Sequence, residues 1–526
     1  MRSTTQKLIK KLRKGSIASS CPAGTDACGR AGDRSIVLHF DAARFFVIGV
    51  GAIFFLIPAF INGFPLVFPD SVDYLVYTPH LYRSPFYGIF ISLFHWNHFI
   101  WMPIFAQALI VSHVIWVLVR IFAGEISFKY FSIVVVILAF FSSLPFFAGL
   151  IMPDILTSLM ILVIYLLSFQ LPALSRLEII YFTLLGCIAI TAHISHLPLV
   201  FALVSMVLIL HVVFRTPPRS LLIRAGILSV PLTLSATAVL LNNILIHHYF
   251  ALFPAGQSFL LANMIEHGPA RRYLQETCPA AGYKICRIAK SLPATSYELL
   301  WATDAYRELG GFEGMREEAK LVVIGTLRSR PWDVLLMAVN TVGSSFVTHA
   351  PGAELTPLSN HIWMVDVLTK KFGVSAVRAY EDSLESQDAV PRMLLQTVDN
   401  VSFPLAAIGL LISGIFAFRH GLREATALAI LIPAAYAINN TLSAFGSGVF
   451  DRYQARVTWL FALAGMLITI QLIDSSPNKS MCRRVRPGGR ATQAASEGDK
   501  DLHAMQSATV NLFRHRWADR AELGGA

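Results

Sequence analysis

Charge is what this chain is short of. Only 14% of its 526 residues are Asp, Glu, Lys or Arg, while 55% are hydrophobic and the mean hydropathy is +0.58. So few charges cannot dress a water-facing surface, which excludes an ordinary soluble domain. Cysteine is scarce too: there are six, and no CxxC pair that would hold zinc or work as a dithiol. A phosphate-cradling P-loop, an HExxH zinc pair and a GxSxG elbow are all missing. The glycines at 49 and 51 sit inside an apolar run and say nothing about nucleotides. No internal or inverted repeat of the kind many transporters show is present. The net charge is +11, yet no RNA or DNA module accompanies it, so nucleic acid is not an expected partner.

What the chain has is apolar runs. A crossing helix needs about 20 mostly apolar residues, and the runs 44–62, 99–119, 129–147, 155–171, 178–195, 198–214, 225–246, 403–418, 425–444 and 457–473 answer that description. The expected fold class is therefore an all-α polytopic integral membrane protein with about ten transmembrane helices. Basic residues concentrate in Arg120 to Lys129, Arg176, Arg215 to Arg224, Arg419 to Arg423 and the tail from Lys479. With that span count they all fall on one side, which the positive-inside rule makes cytoplasmic. The expected location is a bacterial inner membrane, with both termini cytoplasmic. Lys7, Lys10, Lys11, Arg13 and Lys14 precede about thirty polar residues rather than an apolar core, so no signal peptide is expected.

The organisation reads as a basic tail over 1–43, an N-terminal membrane module over 44–246 with an outer loop at 63–98, an extracytoplasmic region over 247–402, final helices over 403–474, and a polar, mostly disordered tail over 475–526. In 84–97, Phe86, Ile89, Phe90, Leu93 and Phe94 repeat with helical period. That stretch rises only about 21 Å, short of the roughly 30 Å hydrocarbon core, and predicts a helix lying on the outer surface. The stretch 333–349 is apolar but carries Asp333 and Asn340, which favours a surface or re-entrant helix. Cys278 and Cys286 fall in the large outer region and would form a disulfide in an oxidising compartment.

Unusual polar residues gather in the outer connections. Asp70, Asp73, Tyr74 and Tyr77 fall at i, i+3, i+4 and i+7, which places them on one face of a helix. Two carboxylates beside aromatic rings suit removal of a proton from a hydroxyl, or the holding of a sugar. The alternative is capping: Asp70 follows Pro69, and Asp73 would favour a first turn. Asp154, after Pro153, offers the same choice in the next outer connection. Arg83 is suited to gripping a phosphate or to anchoring at the interface. His193 and His196 are suited to lining a polar site. As two histidines without a third ligand nearby they make a weak metal signal. Arg452 and Arg456, at i and i+4, run against the charge rule on the outer side, where a phosphate headgroup would make them useful. No cofactor is expected, and a divalent metal lacks support.

On these residues the chain resembles the GT-C class of membrane glycosyltransferases, whose members use lipid-phosphate-linked sugars at the extracytoplasmic face. The resemblance covers the arrangement of the first 250 residues or so and the rest loosely. It implies that Asp70 or Asp73 is the catalytic acidic residue of the first outer loop, with Asp154 the second. It also implies a polyprenyl-phosphate-linked sugar donor, membrane lipid around the chain, and a glycan, lipid or protein acceptor. Here the first acidic site reads Pro-Asp-Ser-Val-Asp rather than the adjacent acidic pair of some members, so the base remains open between two residues. A lipid transporter or flippase, drawing on His113, His211, Asn242, Asn243, Asn439 and Asn440, and a non-catalytic envelope-assembly subunit are the competing expectations.

Overall fold

The computed structural model of the protein describes residues 31–77, 79–359 and 361–474. Most of the basic tail at the start and all of the tail 475–526 lie outside the described residues. Ten longer helices carry most of the chain: α1 (Ala31–Phe55), α2 (Met102–Ala123), α3 (Ser127–Phe141), α4 (Asp154–Phe169), α5 (Arg176–Thr191), α6 (His196–Val213), α7 (Pro218–His247), α8 (Arg392–Arg419), α9 (Arg423–Gly446) and α10 (Asp451–Asp474). No strand occurs among the described residues.

Each of the ten apolar runs falls on one of these helices, but six of the helices are long and apolar enough to cross a membrane: α2, α6, α7, α8, α9 and α10. The other four differ for physical reasons. Helices α3, α4 and α5 have 15, 16 and 16 residues, about 22–24 Å of rise, less than the hydrocarbon thickness. The apolar part of α1 is Ala42–Phe55, after which the chain breaks at Leu56 and resumes as a short helix Ile57–Asn62. The boundary expected at 402/403 falls inside α8, which begins at Arg392.

Burial separates the helices into an inner and an outer set. All sixteen residues of α4 are buried, as expected of a helix that is apolar all round, and it packs against α2, α5, α6, α7 and α9. In α7, by contrast, only 17% of the apolar window is covered by protein. Leu222, Leu234, Leu241 and Leu245 stand 50–72% exposed there, a surface that water would not tolerate and lipid would.

Two short backbone links fix the end of the bundle that carries the loop 63–98. Leu66 and Leu150 pair in parallel: Leu66 N–H donates to Gly149 O at 3.0 Å and Ile151 N–H to Leu66 O at 2.9 Å. They tie the first outer loop to the residues just before α4. Further on, Phe86–His95 forms a short helix within the stretch 84–97, as the helical period predicts. It buries Tyr87, Gly88, Ile91 and His95 and turns Ile89 and Leu93 outward. Gly88 is required at the contact: a Cβ there would lie 2.6 Å from the Tyr74 carbonyl oxygen.

The region 247–402 is two things rather than one. Helices Gly256–Glu266, Pro269–Thr277, Arg316–Ser329 and Pro331–Ser345 share an apolar core of Leu261, Met264, Ile265, Leu274, Val322 and Met337. Cys278 and Cys286 are joined in a disulfide beside it. The stretch expected as a surface or re-entrant helix is Pro331–Ser345, which sets Val334, Met337 and Thr341 inward and leaves Trp332, Leu335 and Leu336 exposed. From about 346 the chain returns to the bundle. There Ala350 N–H donates to Asp451 Oδ1 at 2.6 Å. Glu385 reaches the first outer loop, with its Oε2 accepting Val67 N–H at 3.1 Å and its own N–H donating to Asn62 Oδ1 at 2.8 Å.

Candidate functional site

The acidic and basic residues expected in the outer connections meet in one cluster at one end of the helices, where the loop 63–98, the start of α4 and the start of α10 come together. Helix Ser71–Val76 is a single turn and a half, and Asp70 stands at its N-cap position. Capping is not what Asp70 does, since its side chain makes no cap hydrogen bond. Ser71 serves the turn instead, accepting Phe68 N–H and donating to Ile151 O, both at 2.8 Å. Asp70 is thereby left for Arg83, whose Nη2 lies 2.8 Å from Oδ1 and whose Nη1 donates to the Asp70 carbonyl at 3.0 Å. The same guanidinium reaches Asp73 Oδ2 through Nε at 3.2 Å, and His80 stands 3.4 Å from Asp73 Oδ1.

The last helix brings the opposing pair. The segment expected as an outer loop is already helical from Asp451, so Arg452 and Arg456 enter as consecutive turns of α10, 8% and 1% exposed. Arg452 Nη2 lies 3.5 Å from Asp70 Oδ2 and its Nε 3.9 Å from Asp154 Oδ1. Arg456 Nη1 donates to Asp154 Oδ1 at 3.3 Å and its Nη2 to Asn439 Oδ1 at 2.9 Å. Asp154, in the first turn of α4, makes no cap bond either and is 2% exposed. The rings of Phe68 and Tyr453 sit 4.0 and 5.1 Å from the Arg452 guanidinium, excluding water from its faces.

Donors outnumber acceptors here. Arg452 Nε and Nη1 and Arg456 Nε are buried without a hydrogen-bond partner. A guanidinium has five N–H groups and no acceptor, and an unmet buried donor is costly. Burial on its own would raise the Asp70 carboxyl, but Arg83 and then Arg452 hold it below its ordinary value. Glu354, brought over the cluster by the returning loop, goes the other way: burial raises its carboxyl, and Arg452 only partly offsets that. Tyr82, next to Arg83, is pushed up to about 12 by burial and then by the negative charge of Asp73.

Other expected residues separate by role. Tyr74 lies under Arg83, 5.3 Å from its guanidinium, and meets Tyr87 edge-on at 4.9 Å. Tyr77 does not share that face. It takes φ 41° at the helix end, is 43% exposed and lies under Lys371 at 4.8 Å, because the helix stops before a second turn is complete. His196 is spent on packing, with Nε2 2.7 Å from Thr157 Oγ1 and Nδ1 2.6 Å from Ala189 O. His193, in the turn between α5 and α6, lines a narrow cleft with a free volume of about 20 Å3 together with Arg83, Pro85, Phe86, Leu197, Val239 and Asn242. Among the described residues no group of three or more His, Cys, Asp or Glu is arranged to hold a metal. Of the residues considered for transport, Asn243 Nδ2 donates to Ala251 O at 2.7 Å, His211 stacks on Phe169 and His113 lies against Tyr181.

Sequence reasoning passed over His80 and Glu354, and considered Asn439 only as a residue for transport. Asn439 carried a signal, being a buried amide on the helix beside the arginines. Glu354 carried none, because its place depends on a loop anchored more than ninety residues away at Asp451. No family model matches the chain, and neither curated proteins nor solved structures offer a match.

Proposed function

We propose that the protein is a membrane-embedded transferase that moves a sugar from a polyprenyl-phosphate donor to a hydroxyl-bearing acceptor at the extracytoplasmic face. In this reading the ten apolar helices embed the chain in a bacterial inner membrane with both termini cytoplasmic. The observation that carries the reading is the buried arginine pair with unspent donors, set against carboxylates that do not cap their helices. A phosphate supplies the oxygens that Arg452 and Arg456 lack, and the apolar side chains of Phe86, Leu197 and Val239 beside Arg83 mark where the lipid end of the donor would approach.

The chemistry follows from the charges. Without donor, Asp70 is held ionised by Arg83 and Arg452 and is a weak base. When the donor's phosphate draws both guanidiniums toward itself, Asp70 loses its counter-charges and its basicity rises. The acceptor oxygen attacks the anomeric carbon as the bond from that carbon to the phosphate oxygen breaks. The hydroxyl proton passes to Asp70, and the leaving phosphate's charge settles on the arginines. Asp73 orients Arg83, and Asp154 orients Arg452 and Arg456.

The test is substitution of Asp70, Asp73 and Asp154 singly by Asn in a strain lacking the gene, with surface glycans read by mass spectrometry. Loss of one glycan class with Asp70→Asn, at about 100-fold or more below wild type, is the expected result. Unaltered glycans from all three variants would remove the enzymatic reading.

A further inference from the structure

Next to Arg83, aromatic rings gather between the loop 63–98 and the helical cluster of residues 256–345. His80 stacks on Tyr82 with centroids 4.9 Å apart and planes at 13°. Tyr82 in turn meets Trp301 at 5.0 Å and Phe312 at 4.6 Å, and Phe259 closes the group at 5.4 Å from Phe312. Docking the two regions requires Tyr82 and Phe312. Trp301 also packs there, 5.4 Å from Phe312 and 6.3 Å from Phe259, yet remains 42% exposed, and Tyr297 nearby in sequence is 59% exposed.

The turn that carries Trp301 is specially made. Glu298–Ala302 is a π-helical turn, a rare form concentrated at functional sites. It is braced at both ends: the Glu298 carboxylate accepts Ala294 and Thr295 N–H at 3.0 and 3.1 Å, and Thr303 Oγ1 donates to Glu298 O at 2.8 Å. An indole held this firmly and still open to solvent presents a flat apolar face at little entropic cost.

Polar groups decide what that face would receive. Asp73 and His80, with side chains 26% and 30% exposed, stand at the edge of the rings. Their mutual contact at 3.4 Å leaves each with unspent hydrogen-bonding capacity that now faces water, and an acyl chain would strip that water and replace it with nothing. A sugar ring has C–H bonds on one face for an indole and hydroxyls around its rim for a carboxylate and an imidazole. We propose that Trp301, Tyr82, His80 and Asp73 form a saccharide subsite that receives the terminal ring of the acceptor, stacked on Trp301 and hydrogen-bonded at its rim to Asp73 and His80. The subsite places that ring beside Arg83, which lies 5.6 Å from the Tyr82 centroid and also lines the cleft assigned to the donor. It rests on the transferase reading and names the acceptor as a glycan rather than a protein or a simple lipid.

The full-length protein in detergent is applied to a printed array of defined hexose-, hexosamine- and deoxyhexose-terminated oligosaccharides. Wild type should bind one terminal-sugar class. Trp301→Leu should lose at least tenfold in that signal, and Asp73→Asn, which keeps the packing intact, should lose severalfold. Asp70→Asn should bind as wild type does while failing to transfer. With donor present, Trp301→Leu should raise the acceptor KM and leave kcat nearly unchanged, the mark of lost ground-state binding. No array signal from wild type overturns the subsite, as does an unchanged signal from both Trp301→Leu and Asp73→Asn. Should Trp301→Leu fail to fold, Asp73→Asn decides alone. Saccharide binding without any transfer by wild type would sink the transferase reading and leave the subsite standing. Transfer with an unaltered acceptor KM in Trp301→Leu would do the reverse.

Discussion

Ion pairs at the head of α10 and ion pairs on the helical cluster of residues 256–345 use the same side chains to opposite ends. Around α10, Arg456 and Asp154 are 1% and 3% exposed at the side chain, and three buried guanidinium nitrogens lack a hydrogen-bond partner. On the helical cluster, Arg307 and Asp304 pair at 2.7 Å with 78% and 61% of their side chains in solvent. The first arrangement carries a heavy desolvation penalty that its own contacts only partly repay, and the second carries almost none. The helical cluster takes its stability from an apolar core and a disulfide. The arginine site is maintained against its own energetics, as functional sites often are.

Perturbing the buried pair is the sharpest way to break this contrast. Asp154→Asn leaves Arg456 and Arg452 buried without their shared anion and should cost about 3–5 kcal/mol, read as a drop in thermal midpoint of the detergent-solubilised protein. Replacing both partners, Asp154→Leu with Arg456→Met, should recover most of that loss while activity stays absent. A double variant as unstable as the single one would show that the pair is a structural device. Next in size is Cys278→Ser. Opening a disulfide that spans eight residues should cost about 2–3 kcal/mol. The loss should be confined to residues 256–345, as faster amide exchange there than around α4.

A smaller effect concerns the loop that returns to the bundle. Glu385 is raised from 4.5 to about 8 by burial, with Val67 N–H and Arg392 only partly opposing. A carboxyl raised in the folded state adds stability that is fully present below its unfolded value near 4.5 and is lost as pH climbs through about 8. The thermal midpoint should therefore decline between pH 5 and pH 8.5, and Glu385→Gln should flatten that decline. At the bottom of the scale, Arg307→Ala should leave the midpoint unmoved within error. A clear loss there would erase the distinction between the two kinds of pair.

How much of this was legible in the sequence varies with the range of the forces involved. Helix positions were readable because apolar periodicity is local, and each of the ten apolar runs is helical. Which of them cross a membrane was not, since Ala42–Phe55 and the short helices α3, α4 and α5 differ from α2 or α7 in length and in what surrounds them. The convergence of Asp70, Asp154 and Arg456 was foreseeable from sidedness alone, because connections on one face of a bundle are neighbours. The side-chain assignments were less so. Helical spacing put Tyr77 with Asp70, but the helix ends at Val76. His196 looked available until Thr157, thirty-nine residues earlier, claimed its Nε2. Glu354 and Trp301 join their neighbours only through long-range packing, which no local pattern reports.

Gly88 has a consequence beyond the space it saves. With no side chain at 88, the surface helix lies flush against the carbonyl of Tyr74, one residue after Asp73. Ile89, Leu93 and Trp96 on its far side are 48%, 62% and 67% exposed. In the membrane-embedded reading proposed above, a helix seated at the lipid boundary by those residues would act as a depth gauge: how far it sinks would fix how far the carboxylates stand above the headgroups. On that reading, any larger residue at 88 would change that height and leave every charge in place, and reach toward a lipid-borne phosphate would fail before chemistry did.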